Sequence, residues 1–292
     1  GLTVACGQPA AILGAPPGPP VPVQPNVTTS APPVPMPKNP APERKHTKPK
    51  PRPELPARIP GRILERAAAG VEPGTTLGAM VFDRTTGELR LEYNADRPFR
   101  SASLVKLLIA IDVLAQGADG PTRQQVAEML RMSDDDLASM FWVKYGGPQI
   151  VTRTSAELGL SGVRPPEAYG RWGEVVVTPR DIVAIYRHVL KLPPADRTLI
   201  VDALANAPRQ AADGFDQHFG IPDGLHAEWA IKQGWGSNSS AMVLHSTGLA
   251  GPGFRYIVVL LTEHPLGSGW RTAARSVTAA ATAMNGRLPG VA

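Results

Sequence analysis

Residues 103–116 read SLVKLLIAIDVLAQ. Apolar side chains stand at Leu104, Val105, Leu107, Leu108, Ile109, Ile111, Val113 and Leu114. A helix over this stretch is apolar nearly all round, so it is predicted to be central and buried. Ser103 opens it, where unpaired backbone N–H groups and the helix dipole favour a developing negative charge. Lys106 lies three residues on, on the same helical face. An ammonium drawn into such an interior loses hydration, its pKa falls, and a neutral amine can take a proton from a hydroxyl. The pair is short, however. With 13 serines and 8 lysines in 292 residues, about 0.4 Ser-x-x-Lys pairs arise by chance. On the helix alone, Ser103 reads equally as an N-cap and Lys106 as a snorkelling surface residue.

Outward from this helix the pattern is mixed. Ile59–Ala69 has a helical stripe at Ile63, Leu64 and Ala67, stopped by Gly70. Leu77–Phe82 reads as a buried strand, Asp83–Gly87 as a turn, and Leu89, Leu91 and Tyr93 alternate with Arg90 and Glu92 as a half-exposed strand. Residues 121 to 214 are mostly helical in pattern, with clear helices over Thr122–Met132 and Thr178–Leu190. Strand character returns at Glu228–Gln233, Ala241–Thr247 and Arg255–Thr262, and an alanine-rich helix covers Gly269–Met284. Both ends of the chain therefore contribute to one α/β layer, with helices inserted between them.

The first 58 residues are of another kind. Eighteen of the 32 prolines fall within residues 1–60, and aromatics are almost absent there. Such a stretch cannot bury a core and is expected to be a disordered, Pro-rich linker. It holds seven basic residues against two acidic ones, which accounts for the whole net charge of +5 and leaves the rest of the chain neutral. Nucleic-acid binders cluster their basic residues on the fold, so no nucleic-acid partner is expected. Cys6 is the one cysteine, which excludes an intrachain disulfide. Its context, Leu2-Thr3-Val4-Ala5-Cys6-Gly7, resembles a bacterial lipobox, with Thr3 where Leu is usual. Cys6 is then either a lipidated residue tethering the chain to the membrane from the cell envelope, or an incidental exposed thiol.

Two further motifs accompany Ser103 and Lys106. Ser133-Asp134-Asp135 comes directly after the helix ending at Met132, and Lys232-Gln233-Gly234 ends a strand. Three motifs in this order, S-x-x-K, S-D-N and K-T-G, carry serine acyl-enzyme chemistry. On these residues the chain resembles the serine β-lactamase and penicillin-binding protein superfamily. Ala127-Glu128-Met129-Leu130, Gly146-Gly147-Pro148, Thr178-Pro179-Arg180 and Ile221-Pro222-Asp223-Gly224 look like class A β-lactamase segments. The chain looks closer still to the LppW-type alanine-rich lipoproteins of mycobacteria. The resemblance implies an antiparallel five-stranded sheet flanked by N- and C-terminal helices, an α/β subdomain from 59–106 and 215–292, and a helical subdomain over 107–214. It also implies roles. Ser103 attacks a carbonyl, Lys106 is its base, Ser133 passes a proton to the leaving nitrogen, and Lys232 docks a substrate carboxylate. The backbone N–H groups of Ser103 and Trp235 form an oxyanion hole.

The departures bear on turnover. Asp135 stands where the family has Asn, and Gln233 where it has Thr or Ser. Asp135 is expected to disfavour an anionic substrate and to raise the pKa of Lys106. Together with Gln233, Gly234 and Glu174 it makes up the expected substrate-facing set. Only 30 residues separate Ser103 from Ser133, with Gly117–Gly120 in place of a longer insert. After Arg171-Trp172 the chain runs through Glu174 straight to Thr178, so the loop that carries a water-activating Glu in class A enzymes is largely missing. Glu174 reads either as a displaced substitute or as a surface charge. Trp172, Trp229 and Trp235 are candidates for the cleft wall. The six histidines show no metal-ligand spacing, so neither metal nor cofactor is expected. With these departures, the resemblance implies a serine hydrolase or acyltransferase of the envelope acting on amide or peptide-like substrates, with slow or single-turnover behaviour towards β-lactams. The alternative is a degenerate binding protein for cell-wall fragments or a protein partner.

Overall fold

A computed structural model describes residues 57–292; the linker and lipobox expectations fall on residues outside that range. The chain opens with α1 (Gly61–Val71), then the hairpin β1 (Thr76–Asp83) and β2 (Glu88–Tyr93), and the short β3 (Phe99–Arg100). A one-turn 3₁₀ segment, Ala102–Leu104, leads directly into α2 (Val105–Ala115). Three helices come next: α3 (Gly120–Met132), α4 (Asp135–Lys144) and α5 (Pro148–Leu158). After a 3₁₀ turn at Trp172–Glu174 come β4 (Val176–Val177), α6 (Pro179–Val189) and α7 (Pro194–Ala205). The single turn α8 (Ile221–Gly224) precedes β5 (Trp229–Ser237), β6 (Met242–Ala250) and β7 (Tyr256–His264), and α9 (Trp270–Thr282) ends the fold.

The large sheet has the order β2-β1-β7-β6-β5 and is antiparallel throughout. Strand alternation divides its side chains between two cores. Val258 and Leu260 join Leu64 of α1 and Val277 of α9 on one face. Ile257, Val259 and Leu261 join α2, α5 and α6 on the other. Both faces are covered, which is why these strands read as continuous apolar runs. Within α2 every residue from Val105 to Leu114 is buried, Lys106 and Asp112 included. Asp112 is neutralised there by Arg153 of α5, at 2.8 Å.

Local chemistry sets the helix ends. Asp119 accepts from Thr122 N (2.9 Å) and so caps α3 directly after the shortened Gly117–Gly120 connection. Asp134 caps α4 in the same way through Leu137 N (2.9 Å). Thr178 and Asp181 form a reciprocal capping box on α6. Between the α3 and α4 helices, Ser133 takes a left-handed conformation (φ 53°, ψ 39°), unusual for a residue with a Cβ.

The edge strand β5 packs against the 3₁₀ segment, and Gly234 sets how closely. A Cβ there would lie 2.9 Å from Ser101 O and 3.3 Å from Leu104 Cγ. Ala102, next to that contact, is itself left-handed (φ 45°). Gly234→Val is expected to lower the unfolding free energy by about 1–3 kcal/mol through overpacking. Gly236→Ala, whose Cβ meets Ala102 Cβ only at 3.9 Å, should change it little. Equal stability of the two variants in chemical denaturation would contradict this packing account.

Candidate active site

Four side chains from three parts of the chain meet at one end of α2. Lys106 Nζ lies 2.9 Å from Ser103 Oγ, one helical turn back. It also lies 2.7 Å from Ser133 O and 3.3 Å from Ser133 Oγ. On the far side of Ser133, Lys232 Nζ reaches the same hydroxyl at 2.9 Å. The polar chain thus runs Ser103–Lys106–Ser133–Lys232. Ser133 can take part because its left-handed backbone turns both its carbonyl and its hydroxyl towards the lysines at the end of α3.

Both lysines are out of water: Lys106 is 0% and Lys232 1% exposed. Burial pulls the Lys106 pKa below the ordinary ammonium range, although Asp135, at 2.5 Å, pulls the other way. Lys232 is pushed down strongly, first by burial and then by the charge of Lys106. The expectation that Asp135 raises the Lys106 pKa describes one real contribution, but desolvation outweighs it. Trp172 places its ring 5.0 Å from Lys106 Nζ and closes this side of the site. A buried relay supports Lys232 from behind. Thr247 Oγ1 donates to Lys232 O (2.7 Å), and the Tyr186 hydroxyl of α6 lies 3.0 Å from that Thr247 oxygen.

The cleft in front of Ser103 has a volume of about 480 Å³, lined among others by Ser103, Asp135, Trp172, Glu174, Trp235 and Ser237. A serine hydroxyl beside a desolvated amine, with a second hydroxyl bridging to another lysine, is an arrangement suited to moving a proton along a fixed path.

The sequence comparisons agree with this geometry. Residues 62–141, which include Ser103, Lys106 and Ser133, match the family described as "Beta-lactamase enzyme family". The protein of Mycobacterium tuberculosis named LppW is 36% identical over 249 residues, covering 80% of this chain and 77% of LppW. The chain belongs to the same family as LppW, and its 62–141 segment is β-lactamase-like. Solved β-lactamase structures share its fold. A β-lactamase from Sphaerobacter thermophilus superposes with a TM-score of 0.61 at 19% identity, over 78% of this chain and 98% of that one. A class A β-lactamase from Mycobacterium abscessus gives 0.62 at 16% identity, over 77% and 97%.

Within this superfamily fold, not every expected site residue faces the cleft. Gln233 does not. Alternation along β5 turns it to the opposite face from Lys232, where it is fully buried and Nε2 donates to Gln217 O (3.1 Å) and Phe219 O (2.6 Å). Its part is to anchor the 217–219 segment, so its assignment to the substrate-facing set is corrected. Gly234 serves by close packing, and Trp235 borders the cleft, its ring stacked on Phe215 (centroids 4.7 Å apart). Glu174 lines the cleft, but its carboxylate is engaged by Arg100 (3.3 Å), Arg171 (3.1 Å) and Asn238 (3.4 Å). Trp229 packs on His218, away from the residues lining the cleft.

Sequence reasoning passed over Arg100, His245 and Asp213. His245 of β6 is fully buried and its pKa is depressed to about 4 by desolvation. Nδ1 accepts from Thr262 N (3.2 Å), so Nε2 carries the proton and donates to Arg100 O at 2.6 Å, three residues before Ser103. A lone histidine in an apolar strand pattern offered no hint of this.

The Lys106–Asp135 pair gives a signed expectation. Asp135 stabilises the ammonium, so Asp135→Asn lowers the Lys106 pKa further and enlarges its neutral fraction at neutral pH. An NMR titration of isotope-labelled lysine side chains should show the Lys106 midpoint moving to lower pH. A midpoint that rises or stays would refute the assigned balance of forces.

Proposed function

We propose that this protein is a β-lactamase-like serine hydrolase or acyltransferase of the cell envelope, which forms an acyl-enzyme at Ser103 on amide or peptide-like substrates and releases it slowly. The observation that carries this reading is the 2.9 Å contact between Ser103 Oγ and the fully buried Lys106 Nζ. Neutral Lys106 takes the hydroxyl proton as Ser103 Oγ bonds to the substrate carbonyl carbon. The oxyanion sits between the backbone N–H groups of Ser103 and Trp235. The proton then passes through Ser133 to the leaving nitrogen as the C–N bond breaks, with Lys232 holding the Ser133 hydroxyl in place.

Release of the acyl group is the weak step. It needs a carboxylate free to activate water, an effect typically worth 10²–10⁴-fold or about 3–5 kcal/mol of barrier. The two carboxylates lining the cleft are committed, Glu174 to two arginines and an amide, and Asp135 to Lys106. A β-lactam is therefore expected to leave a lasting adduct on Ser103. Intact-mass spectrometry after incubation with a reactive β-lactam or a fluorophosphonate should show a single mass addition, absent from Ser103→Ala. Chromogenic cephalosporin turnover at tens per second or faster, abolished by Glu174→Gln, would overturn the slow-release reading.

The Asp135–Lys106 ion pair also favours a second reading, a cleft that binds without chemistry, because it steadies the protonated amine. Saturable ligand binding with no adduct under any of these reagents would select it.

The same proposal places the protein on the membrane through Cys6. The lipobox-like sequence around it and a 36% identical relative named as a lipoprotein support this. Among the described residues no helix is long and apolar enough to cross a membrane. Cys6→Ala is expected to move the chain from the membrane to the soluble fraction; retention in the membrane would rule out the lipid tether.

A further inference from the structure

The segment 206–220 joins α7 to α8 and is laced to both sides of the site. Ala212 N donates to Met132 O (2.9 Å) and Gln217 Nε2 to Arg131 O (3.2 Å), both at the end of α3 just before Ser133. Gln233 Nε2, on β5 beside Lys232, holds Gln217 O and Phe219 O. Between these anchors the chain makes a tight turn. Ala211 N donates to Phe215 O (2.9 Å), with Gly214 at φ 83°.

Asp213 is at the tip of that turn and its carboxylate is held from two directions. Oδ1 accepts from Phe215 N (2.9 Å), and Oδ2 from Trp235 Nε1 (2.9 Å). The Phe215 ring stacked on Trp235 fixes the same contact. A solvent-exposed aspartate is thus pinned against a residue that borders the cleft, on the side of Ser133 and Lys232. Its negative field is felt at both lysines. Asp135, with its side chain 61% exposed, adds a second carboxylate at the cleft.

Lys232, meanwhile, is poorly placed to receive an anion. It is buried, and its Nζ is used by Ser133 Oγ and Gln233 O (3.0 Å). Gln233, turned away, offers the cleft no donor.

We infer that Asp213 is a specificity-determining residue, and that the leaving-group end of the cleft takes a cationic amine rather than a carboxylate. The reactive substrates would then be amides whose departing half carries an ammonium, as in a peptide bond to a diamine or to a basic residue. This inference rests on the reading of the cleft as one for amide or peptide-like substrates. Departures that look separate in the sequence act together here. Gln233 anchors the segment that carries Asp213, and Asp135 reinforces its sign.

The test uses two probes that differ only beyond the leaving nitrogen. Both are N-acetyl-alanyl-alanine amides, one ending in an aminoethyl ammonium and the other in a carboxyethyl carboxylate, each in both alanine configurations. Binding to full-length Ser103→Ala is read by calorimetry. The ammonium probe is expected to bind about tenfold more tightly, since attraction of one probe and repulsion of the other each supply the few-fold effect of an exposed charge pair. The preference should shrink with added salt. Asp213→Asn removes the charge while its one amide oxygen can still accept from Trp235 Nε1, giving up the Phe215 N bond, so it should bring the two probes to within about threefold. Asp213→Lys should reverse them. Equal binding, tighter binding of the carboxylate probe, no binding of either, or a preference unchanged in Asp213→Asn would each overturn the inference. Failure of the acyl-enzyme reading is distinguishable, because it appears as a missing Ser103 adduct on the parental chain whatever Ser103→Ala binds.

Discussion

Two ammonium groups removed from water and sharing one serine hydroxyl are the constraint around which the rest of this structure is arranged. A buried charge costs several kcal/mol unless partners compensate it, and a lysine under that pressure moves towards its neutral form. The fold holds Lys106 there because α2 is buried from Val105 to Leu114. It holds Lys232 there because β5 is locked to β6 and because Tyr186, acting through Thr247, fixes the backbone behind it. Ser133 completes the chain from a left-handed backbone position, a conformation that costs of order 1–3 kcal/mol and persists only where its surroundings impose it. The polar end of α2 and the apolar remainder are thus one design. The interior that stabilises the helix also lowers the pKa of its lysine, which favours a neutral amine beside Ser103.

The apolar helix, the hairpin, the three C-terminal strands and the order of the motifs were legible because each rests on local periodicity or on a short spacing. Ser103, Lys106, Ser133 and Lys232 could be named because their three motifs, in this order, resemble those of a known family. What could not be read was direction. Gln233 was assigned to the substrate-facing set because of its motif position. Which face of β5 it occupies depends on register with β6, and a one-residue difference sends a side chain to the other side of the sheet. The start of α2 was also placed slightly early. Ser103 lies in a 3₁₀ turn behind a left-handed Ala102, not at a side-chain cap. His245 and Asp213 escaped notice altogether, since their partners are 145 and 22 residues away in sequence.

The departures from the superfamily pattern take on a shared meaning in three dimensions. The short connection after α2 leaves Asp119 to cap α3 directly. Trp172–Glu174 is one tight turn, braced by Arg100 and Arg171, with the Trp172 ring 5.0 Å from Lys106 Nζ. Neither feature disturbs the Ser103–Lys106–Ser133–Lys232 chain. On the proposed reading they bear on release and selection rather than on attack.

The proposed chemistry requires Ser103 Oγ to be the atom that bonds to a carbonyl-like centre. A crystal structure of the protein exposed to an arylboronic acid tests this directly, because a nucleophilic serine oxygen adds to trigonal boron to give a tetrahedral adduct that mimics attack on a carbonyl. Continuous density from Ser103 Oγ to boron is expected, with one boronate oxygen between the backbone N–H groups of Ser103 and Trp235. Boron bonded to Ser133, or a cleft in which Ser103 stays unmodified at saturating boronate, would contradict it.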